Sequence, residues 1–347
     1  WHEFCHVVTL EKTKNRMPRW LSEGISVYEE RQRNAAWGQS MSPVYREMLL
    51  DDALTPVTKL SSAFLNPPSP IHLQFAYYQS SLVIEFLVQK HGLDAIKGIL
   101  SDLGNGLIIN DAMAKNIGSL ERLDAEFLEF ARQHANEFGS KADWSRDGVT
   151  DEPRLNDWEL WVQEHPNSYW GLRATAEAYF VETQFEKSKV ALEKLKELET
   201  LTGERGGPLE LLAQVYQKLG DSKAERRVLA EHVAKSSDAL PSLRRLIELS
   251  TDEENWEAVR KYAANVIAIN PMLPEGQTAL AQAAEQQGEF ADAAGALRAL
   301  ARMDPVDPAS IDFRMARALQ RMGSLEESRH HVLRALLEAP RYREAHD

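Results

Sequence analysis

Apolar residues recur at helical spacing through most of the chain, with no long run of strand-like alternation. Trp20 to Arg31 carries Leu21, Ile25 and Tyr28 on one side and follows Pro18, a residue suited to a helix start. Phe75 to Lys90 repeats the pattern through Tyr78, Leu82 and Phe86, with Val83 and Leu87 alongside. Further helices are predicted over Asp94 to Leu103, Ile108 to Asn116 and Ser119 to Phe138, and His91-Gly92 reads as a helix end. Between Asn34 and Ile71 the pattern is broken by Pro43, Pro56 and the run Asn66-Pro67-Pro68-Ser69-Pro70. Short helices are expected there around Tyr45 to Asp51 and Val57 to Ala63. A stretch this long with so many breakers either walls a cleft or is a surface excursion.

Beyond Phe138 the pattern changes twice. Residues 140–165 are polar, with Trp144, Trp158 and Trp161 set among charges, and read as a linker with one short helix near Asp157 to Glu164. From residue 166 the chain repeats itself. Asn270-Pro271, Asp304-Pro305 and Ala339-Pro340 fall 34 and then 35 residues apart. Trp256, Phe290 and Leu325 take one equivalent position, and Gly220, Gly288 and Gly323 punctuate the turns. A 34-residue helix-turn-helix unit closed by proline is the tetratricopeptide signature. Ala281, Ala293 and Ala316 supply small positions where paired helices can approach. The period is clear in the last three units and blurred around Tyr169 to Leu201 and Pro208 to Lys235. The predicted architecture is mostly α: a helical domain over 1–139, a linker over 140–165 and a tetratricopeptide α-solenoid over 166–347. Such an array offers either a concave surface for a protein partner or a brace for its neighbour.

Charge and composition narrow the partners. A net charge of −13 and a pI near 5.4 disfavour nucleic acid and anionic lipid, which select basic surfaces. No run of about 20 apolar residues occurs, so this segment is not expected to span a membrane. Cys5 is the one cysteine, so an intrachain disulfide is excluded and the redox compartment stays open.

The candidate chemistry lies at the start. Residues 2–6 read His2-Glu3-Phe4-Cys5-His6, and Trp20-Leu21-Ser22-Glu23-Gly24 follows. With about 100° per residue on a helix, His2 and His6 lie about 40° apart and can reach one metal ion, with Glu3 at the flank of that face. Catalytic zinc takes three protein ligands and leaves a fourth position open for water, and Glu23 supplies the third. Glu23 falls on the inner side of a partly apolar helix, where an unpaired charge is costly and a metal removes the cost. Gly24 and Ser26 are small and would let this helix pack closely against the first. Cys5 lies about 60° off the His2 direction and about 100° from His6, and reads as a small buried residue or, alternatively, a thiolate ligand.

The pairing of His2-Glu3-x-x-His6 with Trp20-Leu21-x-Glu23-Gly24 resembles the gluzincin metallopeptidases, in particular the small peptidase-MA-like domains joined to helical repeats. The helix from Ala76 to His91, with Tyr77-Tyr78-Gln79-Ser80, resembles the one that follows in that group. The resemblance covers roughly the first 135 residues and implies a truncated gluzincin-like helical peptidase domain, with a β-sheet upstream of the first helix. It implies Zn2+ held by His2, His6 and Glu23, Glu3 as general base, and a tyrosine as oxyanion stabiliser. Tyr77 matches the family position better than Tyr78, and His72 is a third candidate. The gap between His6 and Glu23 is slightly shorter than in the best-known gluzincins, which tightens the connection from Glu11 to Arg19. A peptide or protein substrate follows, and the resemblance alone leans towards a periplasmic or secreted setting. Three functions compete: a zinc metallopeptidase with a repeat module, a zinc-binding scaffold without turnover, and a repeat adaptor whose first domain is structural. Glu3 favours the first, because a purely structural site has no need of a base.

Overall fold

The computed structural model describes every residue except 52, 148, 150–152 and 347. Four of these fall in the predicted linker and one at the end of the predicted array, so those parts of the reading lie outside the described residues. The described residues form eighteen α-helices, two short 3-10 turns and no β-strand. They divide into two compact units, one of residues 1–219 with 234–237 and one of residues 220–233 with 238–347.

The first unit begins with α1 (His2–Thr13) and α2 (Arg19–Arg33), both packed on a long α5 (Pro70–Gly104). Gly24 sets the approach of α2 to α5, since a Cβ there would lie 2.7 Å from the Ser80 carbonyl oxygen and 3.1 Å from Ile84 Cγ1. The expected close contact of Gly24 with the first helix is therefore corrected: Gly24 meets α5, and it is Ser26 that faces α1. The core beneath is built from Trp20, Leu21, Tyr78, Leu82, Ile84, Leu87 and Phe127, all buried. Each such side chain contributes about 1.5–3 kcal/mol on burial. At Gly92 the backbone of α5 leaves helical geometry, with φ 77° and ψ 166°, so the helices expected on either side meet at a kink.

The proline-rich stretch is built into this core. It forms α3 (Pro43–Leu50), a 3-10 turn (Val57–Lys59) and α4 (Ser61–Leu65), and it buries Leu49 and Leu60. Ser42 caps α3 by accepting from the Tyr45 amide. The Asp124 carboxylate of α7 (Leu120–Glu137) accepts from the Thr58 amide at 3.1 Å and the Thr58 hydroxyl at 2.6 Å. Between α5 and α7 lies α6 (Ile109–Ile117).

Residues after α7 are held by aromatic and cationic contacts. The Trp144 ring lies 4.7 Å from Tyr169, and the Arg46 guanidinium sits 4.5 Å over it. Arg146 stacks 3.7 Å over Trp170 and pairs with Glu47 at 2.6 Å. Next comes α8 (Leu155–Glu164), whose Trp161 indole donates to the Ser168 hydroxyl at 2.9 Å. The unit continues with α9 (Tyr169–Val181), α10 (Phe185–Glu197) and α11 (Pro208–Leu219).

Along the rest of the chain run α12 (Ser222–Lys235), α13 (Leu240–Asp252), α14 (Trp256–Ile269), α15 (Pro274–Gln287), α16 (Phe290–Leu300), α17 (Pro308–Arg321) and α18 (Leu325–Glu338). Trp256, Phe290 and Leu325 each open the second helix of a pair, which explains their equivalence in sequence. Two residues before each second helix the backbone turns left-handed, at Thr183, Gly220, Glu254, Gly288 and Gly323. Ala281, Ala284, Ala293 and Ala296 are buried in the second unit beside Leu297 and Leu319, the small side chains at which α15 and α16 meet. The repeats are tetratricopeptide-like.

Candidate metal centre

The first turns of α1 carry His2 and His6, and the first turn and a half of α2 carries Glu23. Helical spacing brings the two imidazoles to a ring separation of 4.7 Å, nearly edge to face. Glu23 Oε2 lies 3.2 Å from His2 Nε2 and 3.4 Å from His6 Nε2. One ligand atom from each of the three residues falls within 4.8 Å of the other two. All three side chains are half-buried, Glu23 the most at 13 % exposed.

The outer nitrogens of both rings are held. His2 Nδ1 lies 3.1 Å from Glu30 Oε2, and His6 Nδ1 lies 2.8 Å from the Ser22 hydroxyl and 3.3 Å from that of Ser26. A carboxylate only accepts, so Nδ1 of His2 donates to Glu30 and a neutral ring turns its Nε2 lone pair towards Glu23. Two acceptors facing each other at 3.2 Å call for a proton or a cation between them. A tetrahedral ion with bonds of about 2.1 Å has ligand–ligand edges of about 3.4 Å, so both measured nitrogen–oxygen separations suit one. The donor set, two imidazoles and a carboxylate, fits a zinc ion of the catalytic kind.

The other oxygen of Glu23 is also engaged. Arg19 Nε donates to Oε1 at 3.3 Å, and Arg19 Nη2 donates to the Tyr77 hydroxyl at 2.5 Å. The Tyr77 hydroxyl is itself 3.5 Å from Oε1. Burial acts to lower the Arg19 pKa, but the bonds to Tyr77 and Glu23 outweigh it and hold the guanidinium above its ordinary value. Phe64, from the proline-rich stretch, packs edge-on against Tyr77 at 5.2 Å.

The remaining candidates separate cleanly. Tyr78 is fully buried, stacked 4.9 Å from Tyr45, and its burial pushes the phenol pKa up. His72 lies outside the cluster, its Nδ1 2.8 Å from the Ser69 hydroxyl at the start of α5. Cys5 is half-buried and lies outside the cluster, and burial and then the Glu29 carboxylate raise its pKa. Glu3 is exposed on α1 beside His2. Arg19, Glu30, Ser22 and Ser26 were not singled out for this site by sequence reasoning. The available signal was helical register: on α2, Arg19, Glu23 and Glu30 recur at steps of four and seven, one face of the helix.

Residues 1–131 match the model of the Peptidase MA superfamily. No curated protein matches. Among solved structures, YrrB, described as a TPR protein with an unusual peptide-binding site, aligns at 13% identity with a TM-score of 0.42, over 55% of this chain and 97% of its own. MamA MSR-1 aligns at 18% identity with a TM-score of 0.36, over 47% of this chain and 92% of its own. Residues 1–131 are thus similar to the Peptidase MA superfamily, and the helices that follow are tetratricopeptide-like by their own pairing and turns.

Proposed function

We propose that this protein is a zinc-dependent metallopeptidase whose repeats serve as a protein-interaction module. The observation that carries the reading is the convergence of His2, His6 and Glu23 on one point, with the outer nitrogens of both histidines already held. Three protein ligands suit a catalytic ion, which keeps an open position, whereas structural zinc sites close with four. When bound, zinc supplies acidity to a water and polarises a carbonyl.

This chain's own groups do the rest. His2, His6 and Glu23 hold the ion, and Glu30, Ser22 and Ser26 fix the rings that present it. Glu3, exposed at the flank of the histidine face, takes a proton from the attacking water at its carboxylate and returns it to the leaving amine. Tyr77, whose hydroxyl lies on the Glu23 side of α5, donates to the oxyanion of the scissile carbonyl.

Elemental analysis of the purified protein is expected to give about one zinc per chain, falling sharply in His6→Ala and Glu23→Ala. Glu3→Gln is expected to keep its zinc and to lose about 10²–10⁴ of the peptide-cleavage rate. Zinc content equal in wild type and both ligand variants sinks the site. A zinc-loaded protein that cleaves no member of a broad peptide library supports instead a binding scaffold.

A further inference from the structure

We infer that Arg19 is a positioning residue of this centre, holding the free oxygen of Glu23 and the hydroxyl of Tyr77 in a single arrangement. The inference rests on the zinc reading above. Within that reading Glu23 uses Oε2 towards the histidines, which leaves Oε1 to swing the carboxylate out of place. Arg19 stands one helical turn before Glu23 on α2, so its Nε reaches Oε1 at 3.3 Å without leaving its own helix. Its Nη2 reaches across to α5 and donates to the Tyr77 hydroxyl at 2.5 Å. The guanidinium is pinned further by two rings, 5.5 Å from the Phe64 centroid and 5.6 Å from that of Tyr77. The planar fork of arginine serves two acceptors at once, which a lysine ammonium on a flexible stem does far less well.

Two consequences follow for the chemistry. The carboxylate of Glu23 is held with one oxygen for the metal and one for Arg19, which orients it as an outer partner orients a ligand. At Tyr77 the arginine fills an acceptor position on the phenol oxygen, so the phenol's own proton remains to be donated. In this structure that proton faces Glu23 Oε1 at 3.5 Å, and a carbonyl oxygen becoming negative is a stronger acceptor at the same place. Arg19 itself is exposed, at 56 %, and an arginine–glutamate pair one turn apart with such an end adds little to stability, so the arrangement is better explained by the site than by the fold.

The test uses the full chain as wild type, Arg19→Ala and Arg19→Lys, with His6→Ala alongside. Zinc affinity is read by competition with a chelating dye, turnover is split into kcat and KM, and the melt of each chelated protein is recorded. Arg19→Ala is expected to weaken zinc about 10-fold, at the lower end of the effect of outer partners on a metal site, and to lower kcat more than it raises KM. Arg19→Lys is expected to recover most of the zinc affinity through one bond to Glu23 and to leave kcat low. The chelated melts of all three are expected to coincide. Wild-type zinc affinity and kcat in Arg19→Ala overturn the proposal while leaving the metal site standing. Losses matched by a collapse of the chelated melt assign Arg19 to the fold and also overturn it. Wild type that binds zinc no better than His6→Ala overturns both this proposal and the metal site beneath it.

Discussion

A histidine proposed as a metal ligand works only if its ring is held with the right nitrogen forward, and at His2 the residue in contact with the outer nitrogen is Glu30. The 3.1 Å contact from Nδ1 fixes both the tautomer and the plane of the ring, which an isolated helix leaves free to rotate. Glu30→Ala is therefore expected to weaken zinc by about 10- to 100-fold with little change in the chelated melt, and Glu30→Gln, which still accepts, by less. Equal affinity in wild type and Glu30→Ala would show that His2 is oriented by packing alone. The same contact marks how far this site could be read from sequence. His2, His6 and Glu23 were legible because helical spacing fixes two of them and a buried acid calls for a partner. Glu30 and Arg19 were not, because α2 carries several acids and several arginines and only the packing of α1 and α5 against it selects these. Tyr77 and Tyr78 are adjacent in sequence, and it is the rotation of α5 that sends one to Arg19 and the other into the core.

At the scale of elements, five helix-to-helix connections share one turn, and the residue that makes it helps explain why the unit around Tyr169 to Leu201 was blurred. Gly220, Gly288 and Gly323 take the left-handed conformation at φ 75°, 73° and 81°, where glycine has no side chain to clash. Thr183 and Glu254 take the same place at φ 60° and 54°, without the glycine by which the turn is recognised in sequence. A β-branched residue is the poorest choice for that conformation. Thr183→Gly is expected to raise the unfolding free energy by about 1 kcal/mol, the left-handed penalty less the added freedom of the unfolded chain. Gly288→Thr is expected to lower it by a similar amount. Denaturant titration followed by circular dichroism decides the matter, and a destabilised Thr183→Gly would mean that the threonine side chain supports the turn. The proline-rich stretch shows the opposite limit of legibility. Its breakers announced irregular backbone, but burial of Leu49 and Leu60 and the Asp124 bonds to Thr58 are tertiary facts without a local pattern.

At the scale of the whole chain, metal and repeats are expected to be separable, since a ligand stabilises only the part that binds it. All proposed ligands lie in α1 and α2, so chelation should reach the repeats only through contacts between the two. Those contacts within the first unit run through residues 139–170: Arg46 over Trp144, Glu47 with Arg146, and Arg146 over Trp170. Arg146 and Glu47 form an exposed pair worth about 1 kcal/mol or less, and the half-buried cation–π contacts on Trp144 and Trp170 are worth about 1–2 kcal/mol each. The packing of Trp144 and α8 on α9 is of another kind, with Trp144 against the buried Tyr169, Trp161 bonded to Ser168, and α8 lying along α9. Removing a large buried aromatic contact typically costs about 3–5 kcal/mol, far more than breaking the surface pairs. A fragment of residues 140–347 is therefore expected to be helical and to melt cooperatively, at a midpoint that chelator does not move. Trimming it to residues 166–347 should lower the midpoint of the earliest transition, because α9 then loses Trp144 and α8 together. Thermal melts of both fragments with and without chelator check this. Coincident melts of the two fragments would make residues 140–165 a spacer, and a chelator-sensitive 140–347 fragment would place a metal ligand among the repeats.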